Sequence, residues 1–185
     1  MVDNLISFTI ALGSMIVLSA IYITYAFNKI IQLNLRVDNA EAQIDVELKR
    51  RYDLIPLLVS AIKGYAKHEQ TVIAGVTAAR GDLIKGNLTT KARANQITSY
   101  GIQTILAATE SYPKLKASEN FLRLQNDLAD IESTIAFRRQ FYNDSVMLHN
   151  RFLSTFPHTL LAKIFRFENR DFFEVKAEDK FGPGV

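Results

Sequence analysis

From Leu5 to Phe27 the chain reads LISFTIALGSMIVLSAIYITYAF, 23 residues without a charge. A helix of that length extends about 35 Å, enough to cross a hydrocarbon core about 30 Å thick. In lipid the backbone can satisfy its own polar groups only by becoming helical, so the β-branched residues and Gly13 do not argue against a helix here. A cleaved signal peptide is the alternative. Met1-Val2-Asp3-Asn4 lacks the basic residue such peptides carry, and the apolar run exceeds a normal signal core, so a retained span is expected. Tyr22, Tyr25 and Lys29 suit the headgroup level and put the end of the span near Asn28.

A chain of 185 residues leaves room beyond such a span for one further domain. It has no cysteine, which removes disulfides, thiolate metal sites, thiol nucleophiles and cysteine lipidation. The 22 basic and 19 acidic residues are mixed along the chain and leave a net charge of +3. Without a concentrated basic face, nucleic acid is not an expected partner.

Beyond the span the apolar spacing turns helical. Val37, Ala40, Ile44, Leu48, Ile55, Leu58 and Ile62 recur at intervals of three, four or seven and form one face of a long helix. No breaker lies between Phe27 and Asp53, so the membrane helix is expected to run on as a continuous stalk, with Pro56 the first place it can kink. Gly64, Gly81 and Gly86-Asn87 bracket a shorter helix, expected over Tyr65–Lys85 with Val72, Ile73, Val76 and Ala79 inward. Thr89 or Thr90 can cap a third, which buries Ala94, Ile97, Tyr100 or Gly101, Ile105 and Ala108 until Tyr112-Pro113 stops it. A fourth starts near Ser118 and buries Phe121, Leu124, Leu128, Ile131, Ile135, Tyr142, Val146 and Leu153 before Phe156-Pro157.

The expected fold is therefore all-α: an N-terminal transmembrane helix continuing into an antiparallel four-helix bundle, then an extended C-terminal tail. The corresponding divisions are 1–28 for the anchor, 29–165 for the bundle and 166–185 for the tail. Leu160 to Phe165 can form one more short helix, and Phe172, Phe173, Val175 and Phe181 of the tail can pack their side chains along the bundle.

Charged residues interrupt the inner stripes. Arg51 continues the series 37, 40, 44, 48 and 55, while Arg138 or Arg139 falls between Ile135 and Tyr142. Carboxylates lie within a turn, at Asp45 and Asp53 on the first long helix and Glu132 on the last, with Asn143 and Asp144 following. A buried arginine needs such partners, because an unpaired buried charge costs several kcal/mol. Three readings stay open: a structural polar layer, side chains reaching solvent at the bundle edge, or a ligand site.

Catalytic motifs are not legible. His68, His149 and His158 are the only imidazoles, none in an H-E-x-x-H arrangement, and no Glu-x-x-His pair suits a carboxylate metal site in a bundle. No G-x-S-x-G, Walker loop or G-x-G-x-x-G occurs. No cofactor, metal or catalytic residue is expected.

Three segments carry a specific resemblance to the LemA family of bacterial membrane proteins. They are VDNAEAQIDVELKRRYDLIPLLVSAIKGYAKHE from Val37 to Glu69, ESYPKLKASENFLRLQNDLADIESTIAFRRQFYND from Glu110 to Asp144, and Phe156-Pro157. Glu41, where the family usually has an aromatic, and Leu57, where a polar residue is common, depart from it. The resemblance implies a single N-terminal span before an antiparallel helical bundle and brings no established chemistry. Asp38, Asn39, Asp45, Arg51, Asp53, Tyr112, Pro113, Arg139, Tyr142 and Asn143 match the family's motif positions. Genes of the family often adjoin those of membrane metalloproteases of the HtpX type or proteins with a TPM domain, which points to an envelope protease among the partners.

The expected function is that of a membrane-anchored interaction or scaffold protein of the bacterial cell envelope, not an enzyme, acting on a protein partner or on copies of itself. Asp38, Asn39, Asp45, Arg51, Asp53, Tyr112, Arg139, Tyr142 and Asn143 are its candidate polar layer or interaction residues. One alternative is a ligand-binding protein or enzyme using Arg51, Asp53, Arg139 and Tyr142, and another is a transmembrane signal transducer. Lys29 and Arg36 follow the span while Asp3 precedes it, which favours a single pass through the inner (plasma) membrane with the bundle in the cytoplasm.

Overall fold

The computed structural model describes residues 2–63 and 70–174, which are mostly helical and include no strand. The helices are α1 (Val2–Ile62), α2 (Gln70–Arg80), α3 (Asp82–Lys85), α4 (Leu88–Ala108), α5 (Pro113–Lys116), α6 (Glu119–Ser154) and α7 (His158–Phe165), with a 3-10 turn at Thr109–Ser111 between α4 and α5. Residues 166–174 follow α7 without helix or strand. The expected positions of Gly64, Tyr65, His68, Val175 and Phe181 lie outside the described residues.

The chain divides into two compact units, Met1–Asn39 with Asp144–Arg170, and Ala40–Asn143 with Asp171–Val185. α1 contributes to both and runs unbroken through Pro56. Its N-terminal part is long and apolar enough to cross a membrane, and its most apolar stretch has no buried residue. Ile10, Met15 and Leu18, for example, are 67%, 67% and 66% exposed. In water such a surface would be costly, at about 25 cal/mol for each Å² of apolar area.

In the first unit, Ile30 of α1, Leu153 of α6 and Ala162 of α7 close a small core flanked by Phe152 and Phe167. Phe27 adds edge contacts, with ring centroids 5.1 Å from Phe165 and 5.7 Å from Phe167. α7 ends at Arg166, which adopts the left-handed conformation at φ 57 while the Phe167 N–H donates to the Ala162 carbonyl at 2.9 Å.

In the second unit the stripe expected on α1 is buried at Ala40, Ile44, Leu48, Ile55, Leu58 and Ile62, and that of α6 at Phe121, Leu124, Leu128, Ile131, Ile135 and Tyr142. Three details differ from the sequence expectation. The segment expected as one helix to Lys85 breaks at Gly81, where backbone freedom weakens a helix interior. α4 buries Ala94, Gly101 and Ile105 as expected, but Ile97 and Tyr100 are exposed at 42% and 71%, and Asn95, Thr98 and Ile102 are buried as well. Of the alternatives Tyr100 and Gly101 it is Gly101 that faces α2: a Cβ there would run into Val76 Cγ2, so the two helices meet where α4 has no side chain. The cap of α4 is Asn87 rather than a threonine, its Oδ1 accepting from the Thr90 N–H at 2.9 Å.

Candidate functional site

Arg51 sits in the second unit on the stripe between Leu48 and Ile55, and only 1% of it is exposed. Its Nη1 donates to Asn95 Oδ1 at 2.6 Å, to Ser99 Oγ at 2.9 Å and, longer, to the Asn95 carbonyl at 3.3 Å. Its Nη2 pairs with Glu132 Oε2. The Ser99 hydroxyl lies 2.9 and 3.1 Å from the two Glu132 oxygens. One cation thus joins α1, α4 and α6. Burial lowers the Arg51 pKa below the ordinary arginine value, and the neighbouring Glu132 carboxylate works in the opposite direction. Arg51 Nε is left without a partner among the described residues, while the Glu132 side chain stays 41% exposed. The arrangement is a charged pair with one wet end and one dry end.

A second polar contact follows from Pro56. Proline has no N–H, so within a continuous helix the Tyr52 carbonyl four residues earlier loses its usual partner. Arg80 of α2 supplies the replacement, its Nε donating to that carbonyl at 2.8 Å. The same guanidinium lies over the Tyr52 ring, 3.6 Å from the centroid.

The remaining candidates do not gather into one cluster. Asp53 is exposed and pairs with Lys49 at 2.6 Å on the outer face of α1, and Asp45 pairs with Lys91 of α4 at 2.6 Å. Asp38 and Asn39 belong to the first unit, where Asp38 meets Arg170 at 2.8 Å. Tyr112 is half-buried at the turn before α5. Of Arg138 and Arg139, the two candidates for the inner stripe, Arg139 is exposed and Arg138 is half-buried, its Nη1 donating to Gln43 Oε1 at 2.6 Å. Two consecutive helical residues point about 100° apart, so only one of the pair can turn toward α1.

Tyr142 and Asn143 hold the chain after α7. The Tyr142 hydroxyl donates to the Asp171 carbonyl at 2.9 Å, and the Phe173 N–H donates to Asn143 Oδ1 at 2.8 Å, with Phe173 buried. Within the first unit Asn150 does the same for Arg170, accepting from its N–H at 2.8 Å and donating to its carbonyl at 2.9 Å. The tail aromatic at 173 packs as the sequence suggests, whereas Phe172 is exposed.

Arg139, Asn143 and Glu132 nevertheless share one feature. With Gln96, Ser99, Tyr100, Gln103 and Phe173 they line an open groove of about 640 Å³ in the second unit. Its walls offer amides, a guanidinium and a carboxylate already engaged by Arg51, a surface fitted to polar recognition. Among the described residues no group of His, Asp and Glu is placed to hold a metal ion. Gln96, Gln103 and Asn95 are not found from the sequence because a polar residue that joins a groove and one that faces open solvent read alike.

The LemA family model matches residues 40–185. Over 72 residues the chain is 28% identical to two magnetosome proteins of Paramagnetospirillum magneticum, MamQ 1 and MamQ 2, and to magnetosome protein MamQ of Magnetospirillum gryphiswaldense. Those matches cover 39% of this chain and 26% of each relative, about a quarter of their length.

Proposed function

Because the chain belongs to the LemA family, we propose that it is a single-pass membrane-anchored scaffold of the bacterial envelope, presenting its second unit to a protein partner or to another copy of itself. The observation that carries this reading is α1 itself. One unbroken helix has an uncovered apolar stretch at its start and, further along, a buried arginine that ties it to α4 and α6. Such a helix cannot leave the bilayer without moving part of a folded core, which suits a tether better than a diffusing catalyst.

The groove containing Gln96, Gln103, Arg139 and Asn143 is the proposed recognition surface. Most of its polar groups are carried on helices, and the Asn143 Oδ1 is occupied by the Phe173 N–H. An envelope protease is the class of partner that the family resemblance favours. A second reading, binding of a small polar ligand, draws on the same groove and on Arg139 as its exposed cation.

A photo-crosslinking residue at Gln96 or Gln103, introduced into the full chain in native membranes, tests the proposal. The expected result is a discrete adduct from the groove positions and none from the exposed Asp130 on α6. Equal labelling at all three positions, or none at any, removes the groove as a recognition surface. Release of the chain from membranes by alkaline carbonate would remove the anchor.

A further inference from the structure

α7 is short, apolar and only half used by the fold. Leu161 and Ala162 are buried, while Leu160, Ile164 and Phe165 are 52%, 70% and 46% exposed, as is Phe156 just before the helix at 75%. Leu160 and Ile164 are spaced by four, the interval that stacks side chains along one face of a helix, and Phe156 is exposed at the corner before it. An exposed apolar surface of this kind rimmed by basic residues marks a contact site. Lys163 and Arg166 are the exposed cations at its C-terminal end.

The position of α7 along α1 says what that contact is. Tyr22 faces His158 with ring centroids 5.9 Å apart, and Phe27 meets Phe165 at 5.1 Å. Leu18, Tyr22 and Ile23 share an open apolar groove with Pro157, Leu160 and Leu161. α7 therefore lies beside the last turns of the uncharged run, not beyond its end. If Leu5–Phe27 crosses a bilayer, the start of α7, level with Leu18–Ile23, stands within the acyl region, and its end, level with Phe27, stands at the acyl–headgroup boundary.

We infer that α7 and the Phe156-Pro157 corner form an interfacial docking element, with Phe156, Leu160 and Ile164 inserted among acyl chains and Lys163 and Arg166 facing anionic lipid headgroups. The inference rests on the proposed membrane span. Exposed apolar side chains beside a basic end gain acyl-chain contact and attraction to anionic lipids together. Arg166 fits the assignment: its left-handed position is cheapest for glycine, yet it carries a cation.

The chain contains no tryptophan, so a single introduced indole reports its own surroundings. Three full-length variants, Ile164→Trp, Leu12→Trp and Val46→Trp, would each be reconstituted into phosphatidylcholine–phosphatidylglycerol vesicles, with helicity checked by circular dichroism. Lipids brominated near the headgroup should remove most of the emission of I164W, lipids brominated at the chain ends should quench L12W, and V46W should keep its emission. Quenching of L12W without I164W overturns the docking element and leaves the span standing. Absence of quenching at both positions overturns the span, and the inference falls with it. A blue-shifted, unquenched I164W whose emission depends on protein density also overturns it, in favour of a second copy of the chain on this face. Replacing phosphatidylglycerol by phosphatidylcholine should weaken the quenching of I164W; unchanged quenching refutes the role given to Lys163 and Arg166.

Discussion

A guanidinium with 1% exposure is tolerable only because its partners are fixed, and Arg51 draws them from two other helices. Removing the counter-charge should therefore cost more than removing both charges. Glu132→Ala is expected to destabilise the chain by about 3 kcal/mol, near the lower end for a broken buried pair because the carboxylate is partly wet. The double change Arg51→Met with Glu132→Leu is expected to cost less than E132A alone, since it leaves no unpaired charge. Thermal unfolding in detergent measures both, and an E132A chain that melts like the parent would sink the argument. The lowered Arg51 pKa adds a sign. The folded chain holds that proton less tightly than the unfolded one, so charge at Arg51 opposes folding at every pH below the lowered value, and the penalty fades only as pH climbs into the arginine range. No change in this contribution is expected around neutrality. Arg51 was legible because it fell on an apolar stripe; Asn95 and Ser99 were not, because a polar residue on a solvated face and one facing a buried cation read alike in sequence.

At the scale of elements, two local rules set how α1, α2 and α4 meet. Pro56 orphans the Tyr52 carbonyl and Arg80 adopts it, so the two residues should be coupled. Arg80→Ala should cost about 1–2 kcal/mol in the parent, and less in a Pro56→Ala background, where the backbone N–H restored at that position can return to the helix ladder. Equal costs in both backgrounds would mean that Arg80 acts through its stacking on Tyr52 alone. Glycines give the second test. Gly101→Ala drives a Cβ into the branched, stiff Val76 and should cost about 1–3 kcal/mol, whereas Gly75→Ala meets nothing within 4 Å and should gain up to about 1 kcal/mol of helix stability. Melting temperatures that move in the same direction would contradict this packing. The face of α6 was readable because a three-four repeat of large apolar residues admits one orientation. The face of α4 was readable only in part: Ala94, Gly101 and Ile105 are buried as expected, but periodicity could not choose between Tyr100 and Gly101, because a glycine at a close approach carries no apolar weight.

For the whole molecule, helicity and the apolar stretch were both visible in the sequence, the first from period and the second from the absence of charge over a bilayer's thickness. The route of the chain after α7 was not, since Tyr142 and Asn143 hold it through hydrogen bonds to backbone groups, which any sequence can offer. Side of insertion is likewise a property of the entire chain, decided by the balance of basic residues near the two ends of the span. Lys29 and Arg36 follow the span closely while Asp3 stands before it. If α7 rests on the same interface, Lys163 and Arg166 join the following side and enlarge the imbalance. A reporter fused after Val185 that signals differently on the two sides of the membrane should then give the cytoplasmic signal. Lys29→Glu with Arg36→Glu should yield mixed orientation if those two residues dominate; an unchanged cytoplasmic signal would shift the determinant to α7, and four substitutions including Lys163→Glu and Arg166→Glu should then be needed to disturb it. An external signal from the parent chain would reverse the charge argument, turn the Gln96–Arg139 groove away from the cytoplasm, and limit its partners to proteins beyond the membrane.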